Sequence, residues 1–220
     1  MGYPAAVELA IWLNHFRSGL ISRSDVRNAA ETITEDTSFD WQNLIDQVAI
    51  SQQPCFALLP IPGWTYGLPS QILSQINVAS GVCVFADQKL LACTNGKKLA
   101  WQTFELTHQI VPPEPKSARL SFTDLLEESV TQLARMEAQG DRSVIEHKLA
   151  GLNETHLPPA LPSRVKNDLD SAQRIWLITE IGAQESKVIH SPSFDEQRFD
   201  QLRKLRISAI NLMSAVTLTA

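Results

Sequence analysis

The sequence has few cysteines and glycines, and none of them falls in a spacing typical of a metal or phosphate site. Its three cysteines, Cys55, Cys83 and Cys93, form no CxxC pair, which argues against a zinc knuckle or a disulfide framework. The nine glycines are scattered singly, without the GxGxxG or GxxxxGK[ST] patterns of nucleotide-binding loops. We therefore expect no cofactor, no metal ion, and three buried, reduced thiols that pack as small apolar groups.

Long apolar runs are also missing. No stretch reaches the roughly 20 apolar residues that a membrane-spanning helix needs. The first residues lack the basic segment and apolar run of a secretory signal, and Ala6 stands where a myristoylation motif requires Ser or Thr. These features predict a cytoplasmic protein that does not associate with membranes.

No part of the chain has a strong excess of basic residues. The net charge is -5 over 220 residues; it is -4 over residues 1–50, +1 over 51–112 and -2 over 113–220. Three short helices near the start could suggest a helix-turn-helix, but a segment with three arginines and seven acidic residues would be repelled by DNA. We predict that nucleic acid is not a partner.

What the sequence does contain is 44% apolar residues and helical periodicity at both ends, enough to form a core. In the first 50 residues we predict helices over 4–18, over 25–33 with Ser24 as N-cap, and from Asp40 onward. Pro4 suits the first turn of the first helix, and Gly19 can adopt the left-handed conformation that ends it.

The middle of the chain has the strongest β signal. Strands are predicted over 81–86, 89–94 and 98–104, with turns at Asp87-Gln88 and Asn95-Gly96, and a further strand is possible over 55–59. A two-residue first loop would place Cys83 opposite Ala92, and we expect a three-residue loop to place it opposite Cys93. Between these strands, four prolines and two glycines in residues 54–70 predict an ordered loop, after which Ser70 caps a short helix.

The second half is predicted to be mainly helical. Three prolines in residues 111–116 favour an extended connector. After it we predict helices over 121–140 and 142–150, a helix over 163–181 with Ser163 as N-cap, and a last helix from Ser193 almost to the end. The fold class is therefore α+β, with an α+β region over 1–110 and a helical region over 117–220 that could pack with the first as one domain. The last helix is apolar over much of its circumference, so we expect it to be central or shared with a second subunit.

Few residues suggest chemistry. The closest approach to a metal or acid–base site is the set Glu146, His147, Glu154 and His156, whose spacing matches no ligand motif and favours a solvated surface. Cys55 could act as a nucleophile only with a distant partner such as His108, and its apolar neighbours would raise its pKa.

Two other features favour contact with a partner. The loop over 60–67 carries Trp64 and Tyr66, which offer large apolar surfaces with polar tips, although both rings could instead fill a seam between helices and sheet. The last helix has basic residues at 198, 203, 204 and 206, which could be its solvated face or could contact a membrane surface. We therefore predict a non-enzymatic interaction or regulatory protein that binds a protein partner or self-associates through its last helix; the alternative is a hydrolase-type enzyme whose residues meet only in the fold.

Overall fold

A computed structural model describes residues 2–86, 89–95, 100–135, 156–184 and 192–220. In these residues the helices are α1 (Ala5–Arg17), α2 (Arg23–Thr34), α3 (Trp41–Ile50), α4 (Ser70–Leu73), α5 (Pro115–Arg135), α6 (Ser163–Gln184) and α7 (Pro192–Val216). Two short 3₁₀ turns cover Val78–Ser80 and Thr217–Thr219. The strands are β1 (Phe56–Leu58), β2 (Val82–Phe85), β3 (Lys89–Cys93) and β4 (Trp101–Glu105).

The four strands form one antiparallel sheet in the order β1-β2-β3-β4. This confirms the predicted α+β class and meander, with the possible strand near residue 55 added at one edge as β1. The start that we predicted for β4 is wrong, because the strand begins at Trp101. Residues 87–88 and 96–99, which include most of both predicted turns, lie outside the described residues.

The pairing of β2 with β3 corrects the predicted register of the thiols. Phe85 pairs with Lys89, so three residues lie between the strands and Cys83 stands opposite Leu91. Neither predicted partner, Ala92 or Cys93, lies opposite Cys83. The three-residue loop moves the partner by one residue from Ala92 to Leu91, whereas we had expected a move in the other direction, to Cys93. All three cysteines are buried and unpaired, as predicted.

The sheet is covered on both faces. One face adds Cys55, Ala57, Cys83, Phe85, Leu91 and Cys93 to the main core with the long helices. The other buries Phe56, Leu58, Val82, Val84, Leu90 and Ala92 beneath Leu68, Ile76 and Ile110. Burial on both faces explains why β1, β2 and β3 are almost continuously apolar, whereas the edge strand β4 exposes Gln102, Thr103 and Glu105.

Three predicted helix caps are wrong. Ser22, not Ser24, caps α2: its hydroxyl accepts the Asp25 N–H, and the Asp25 carboxylate accepts the Ser22 N–H. This reciprocal arrangement needs an acceptor three residues after the cap, which Ser22 has. Ser70 is the first residue of α4 and makes no capping bond, and Ser163 is likewise the first residue of α6 and not its N-cap.

The connector before α5 is shorter than predicted. Helix α5 begins at Pro115, six residues before Ser121, because proline is compatible with the first helical position. The Glu114 carboxylate accepts the backbone N–H groups of Lys116 at 3.0 Å and Ser117 at 2.6 Å. The predicted helix over 142–150 and the predicted helix end at Gly140 lie outside the described residues.

Helix α7 lies against several elements at once. It packs on α5, α6 and β1, and its second half is buried at Ala209, Ile210, Met213 and Val216. The wide apolar surface predicted from the sequence is thus covered by the chain itself in this half. The core includes residues from both sides of 111–116, and the division into two regions stays a prediction.

The outer edge of β1 is closed by side chains. Asn14, buried in α1, donates to the carbonyls of Cys55 at 2.7 Å and Thr217 at 2.6 Å and accepts the Cys55 N–H at 2.8 Å. The Thr217 hydroxyl accepts the N–H of Ala57 at 3.2 Å. These bonds provide hydrogen-bond partners for the backbone groups at the outer edge of β1, and they join α1 to the residue that follows α7.

Replacing Asn14 with Ala should lower the free energy of unfolding by about 2–4 kcal/mol, because three buried backbone groups lose their partner. Asn28→Ala, at an exposed position of α2, is the control and should change it by less than about 0.5 kcal/mol. Urea unfolding followed by circular dichroism measures both. Equal effects for the two variants would contradict this role of Asn14.

Candidate functional site

The loop after β1 consists of two consecutive tight turns. In the first, Ile61 and Trp64 exchange backbone hydrogen bonds of 2.9 and 3.0 Å around Pro62 and Gly63, and the Gly63 φ of 77° matches a type II turn. In the second, the Leu68 N–H donates to the Thr65 carbonyl at 3.0 Å; Tyr66 and Gly67 both have positive φ, as in a type I′ turn. The loop is therefore ordered, as predicted, and holds its two aromatic side chains in fixed positions.

Those two aromatic side chains have different environments. Tyr66 is partly buried against α7, where its hydroxyl donates to the Asn211 side chain at 2.8 Å, and burial raises the pKa of Tyr66 to about 12. Trp64 remains 39% exposed, with its ring 5.9 Å from that of Tyr66 in an edge-on arrangement. Tyr66 thus fills a seam between loop and helix, whereas Trp64 is accessible to a partner.

A groove lies where the first turn meets α6 and α7, and we call it the Pro62 groove. Its volume is about 250 Å³. It is lined by Ile61, Pro62, Thr179, Ala183, Phe199, Leu202, Arg203 and Arg206. The walls are mostly apolar and the charged groups are two arginines, so the structure unites the loop and the last helix that the sequence singled out separately.

Both arginines of the groove have unused capacity to bind an anion. The Nε of Arg206 is buried and has no hydrogen-bond partner among the described residues, and its Nη2 lies 3.7 Å from Glu180. The Arg203 guanidinium packs against Gly63, leaving no room there for a side chain, and forms no ion pair within the described part of the chain. The groove is therefore positively charged.

The described candidate catalytic residues have different environments. Cys55 is fully buried, and this burial raises the pKa of its thiol to about 12, whereas His108 is exposed with Nε2 3.0 Å from the Gly67 carbonyl. Glu146, His147 and Glu154 lie outside the described residues, and His156 is exposed. Within the described ranges, no three His, Cys, Asp or Glu side chains are placed to hold one metal ion.

One buried acidic residue was not predicted from the sequence. Glu8 of α1 is only 3% exposed; its carboxylate accepts the His156 N–H at 3.1 Å, and its burial raises its pKa. Nearby, the Tyr3 hydroxyl donates to Asp170 of α6. The available signal was an acidic residue inside the wide apolar arc of the first helix.

Part of the second half of the chain is similar to a known protein family. A family model described as Rv1486c-like protein, C-terminal domain, matches residues 116–209, somewhat less than half of the chain. The similar stretch includes the α6 and α7 residues of the Pro62 groove but not Pro62 itself, and the description states no activity. No curated protein and no solved structure matches the chain. Among the described helices, none is long and apolar enough to cross a membrane.

Replacing Glu8 with Gln should change how stability depends on pH. Because the pKa of Glu8 is raised in the folded state, the native chain loses stability as pH rises from the ordinary Glu value of about 4.3 through that raised pKa. A glutamine carries no charge at any pH, so the stability of Glu8→Gln relative to the native chain should rise over this interval. Thermal unfolding at a series of pH values measures the difference; a constant difference would contradict it.

The two aromatic side chains of the loop should respond differently to truncation. Tyr66→Ala removes a packed ring and leaves Asn211 without its donor, so a loss of about 3–5 kcal/mol is expected. Trp64→Ala should lose less than about 1.5 kcal/mol, because a large part of that ring is already in water. Chemical denaturation tests both, and a larger loss for Trp64 than for Tyr66 would show that Trp64 has a structural role.

Proposed function

We propose that this chain is a non-enzymatic interaction protein that recognises a segment of a partner protein at the Pro62 groove. The observation that carries the proposal is an apolar groove bordered by two arginines, one of which keeps a buried, unpaired Nε among the described residues. A buried donor without an acceptor is unfavourable by about 1–3 kcal/mol, and a bound acceptor would recover that energy.

The size and charge of the groove indicate what it would bind. At about 250 Å³ it is smaller than the roughly 300–1,000 Å³ of typical small-molecule sites, and it suits one or two side chains better than a cofactor. Apolar walls favour a leucine-like or aromatic side chain, and Arg203 and Arg206 favour a neighbouring carboxylate. The preferred partner segment therefore has an apolar residue next to an acidic one.

The rigid turn supports this proposal. Because Pro62 and Gly63 lie in a hydrogen-bonded turn, one wall of the groove is formed before a partner arrives. Binding then requires little ordering of the loop, which reduces the entropic penalty of association. Exposed Trp64, at the end of the same turn, would extend the contact surface beyond the groove.

The proposal also includes a cytoplasmic location, inferred from the sequence, and self-association through α7. The exposed side of that helix carries Phe199, which is 39% exposed, among charges of both signs. An exposed aromatic side chain surrounded by polar residues is typical of a contact surface.

Selection of a phage-displayed random heptapeptide library on the full chain tests the proposal. We expect enrichment of peptides with Asp or Glu beside an apolar residue, followed by measurement of a selected peptide by calorimetry. Arg206→Gln should weaken its binding about 10- to 100-fold, because a charge-assisted hydrogen bond is lost. Ala183→Trp, which fills the groove from an exposed position, should abolish binding.

Arg164→Gln is the matched control, since Arg164 is exposed on α6 and does not line the groove. It should bind the peptide as tightly as the native chain does. The proposal is wrong if no acidic–apolar motif is enriched, or if the selected peptides bind Ala183→Trp as well as they bind the native chain.

A further inference from the structure

The N-terminal half of α7 has an outward face that borders the Pro62 groove at Phe199 and Arg203 and otherwise remains exposed among the described residues. Glu196, Phe199, Asp200 and Arg203 are all exposed, and their spacing of three and four residues places them on one side of the helix. Two of the residues between them turn inward: Leu202 is buried, and Gln201 donates to Ser129 of α5 at 2.6 Å. We call these four exposed residues the outward face of α7.

The charges on this face are arranged in a definite order. Glu196 is at its N-terminal end and Arg203 at its C-terminal end, two helical turns or about 10 Å apart. Asp200 already pairs with Lys204 at 2.7 Å. Glu196 and Arg203 have no ion-pair partner among the residues that the structure describes, so each is available to an opposite charge.

We propose that the outward face of α7 binds the same face of a second copy, with the two helices antiparallel and a two-fold axis between residues 199 and 200. In this arrangement Glu196 of each copy lies opposite Arg203 of the other, and each Phe199 lies beside the axis, opposite Asp200 of the other copy. A two-fold interface is self-complementary, so each ion pair forms twice. The inference rests on the self-association included in the proposed function and specifies its geometry.

A second copy fits this face because of the order of its charges. A face with an acid at one end and a base at the other, and an aromatic residue between them, is complementary to itself when reversed. The apolar contribution is small, with one exposed aromatic residue per copy, so the interface would fall below the standard size of about 1,600 Å². We therefore expect a weak dimer that dissociates further as salt is added, since its ion pairs are solvent-exposed.

Charge reversal combined with sedimentation equilibrium tests the pairing. Glu196→Arg alone and Arg203→Glu alone each create two like-charge contacts across the axis, and each should raise the dimer dissociation constant about tenfold or more. The double variant restores opposite charges in exchanged positions, so its dissociation constant should return to within about threefold of the native value. Glu196→Arg does not affect the contact between Arg203 and Gly63, which makes it the cleaner of the two single variants.

Arg164→Glu, at an exposed position of α6, changes the net charge by the same amount as Arg203→Glu and should dimerise like the native chain. A dimer that is insensitive to both reversals, or a double variant that stays as weak as the single ones, overturns the antiparallel pairing while leaving self-association intact. A native chain that is monomeric at all concentrations overturns both. Phe199 and Arg203 also line the Pro62 groove, whereas Glu196 does not. At concentrations where the chain is monomeric, Glu196→Arg should therefore leave peptide binding unchanged and Arg206→Gln should weaken it, which distinguishes failure of the dimer from failure of the groove.

Discussion

The outer edge of β1 is closed by two side chains instead of by another strand, and the arrangement of the helices depends on it. An edge strand exposes N–H and carbonyl groups that must find partners or remain in water. Here the Asn14 side chain donates to the carbonyl of Cys55 and accepts its N–H, and the Thr217 hydroxyl accepts the N–H of Ala57. Because Asn14 also bonds the Thr217 carbonyl, the start and the end of the chain are held on one three-residue strand.

This closure determines where the candidate site lies. The chain leaves β1 directly into the turn at Pro62, and α7 ends at the strand edge through Thr217. Going back along α7, Asn211 accepts a hydrogen bond from Tyr66, and Arg203 lies against Gly63. Two contacts along α7 thus hold the loop beside the helix, and the groove forms where the turn, α6 and α7 meet.

The same arrangement separates the stabilising and exposed parts of α7. Its second half is covered by the sheet and by the other helices, while the first half keeps a mixed, exposed face. The apolar circumference noted in the sequence therefore has an intramolecular explanation near the C-terminus. Any contact with another molecule would use Phe199 and its neighbours instead.

Much of the fold could be predicted because it follows local patterns. The position of Asp40 before an apolar period correctly marks the start of α3, and alternating turn and apolar signals correctly mark β2 and β3. A feature was harder to predict where two neighbouring residues could both play the same structural role. Ser22 and Ser24 are both acceptable caps, and only the position of Asp25 decides between them.

The site itself could be predicted only in part. The Pro-Gly pair and the aromatic residues of the loop are local signals, and they indicated an ordered loop with contact potential. The groove joins Pro62 to Arg206, and the edge closure joins Asn14 to Cys55 and Thr217. Neither pairing leaves a periodic pattern in the sequence, because the partners are distant along the chain.

Amide hydrogen exchange measured by NMR tests the closure of β1 most directly. Successive amides of a strand point in opposite directions, so those of Phe56 and Leu58 face β2 while those of Cys55 and Ala57 face Asn14 and Thr217. If the side chains close the edge, all four amides should exchange slowly and at similar rates. Fast exchange at Cys55 and Ala57, with slow exchange at Phe56 and Leu58, would show that the edge is open and would contradict the account.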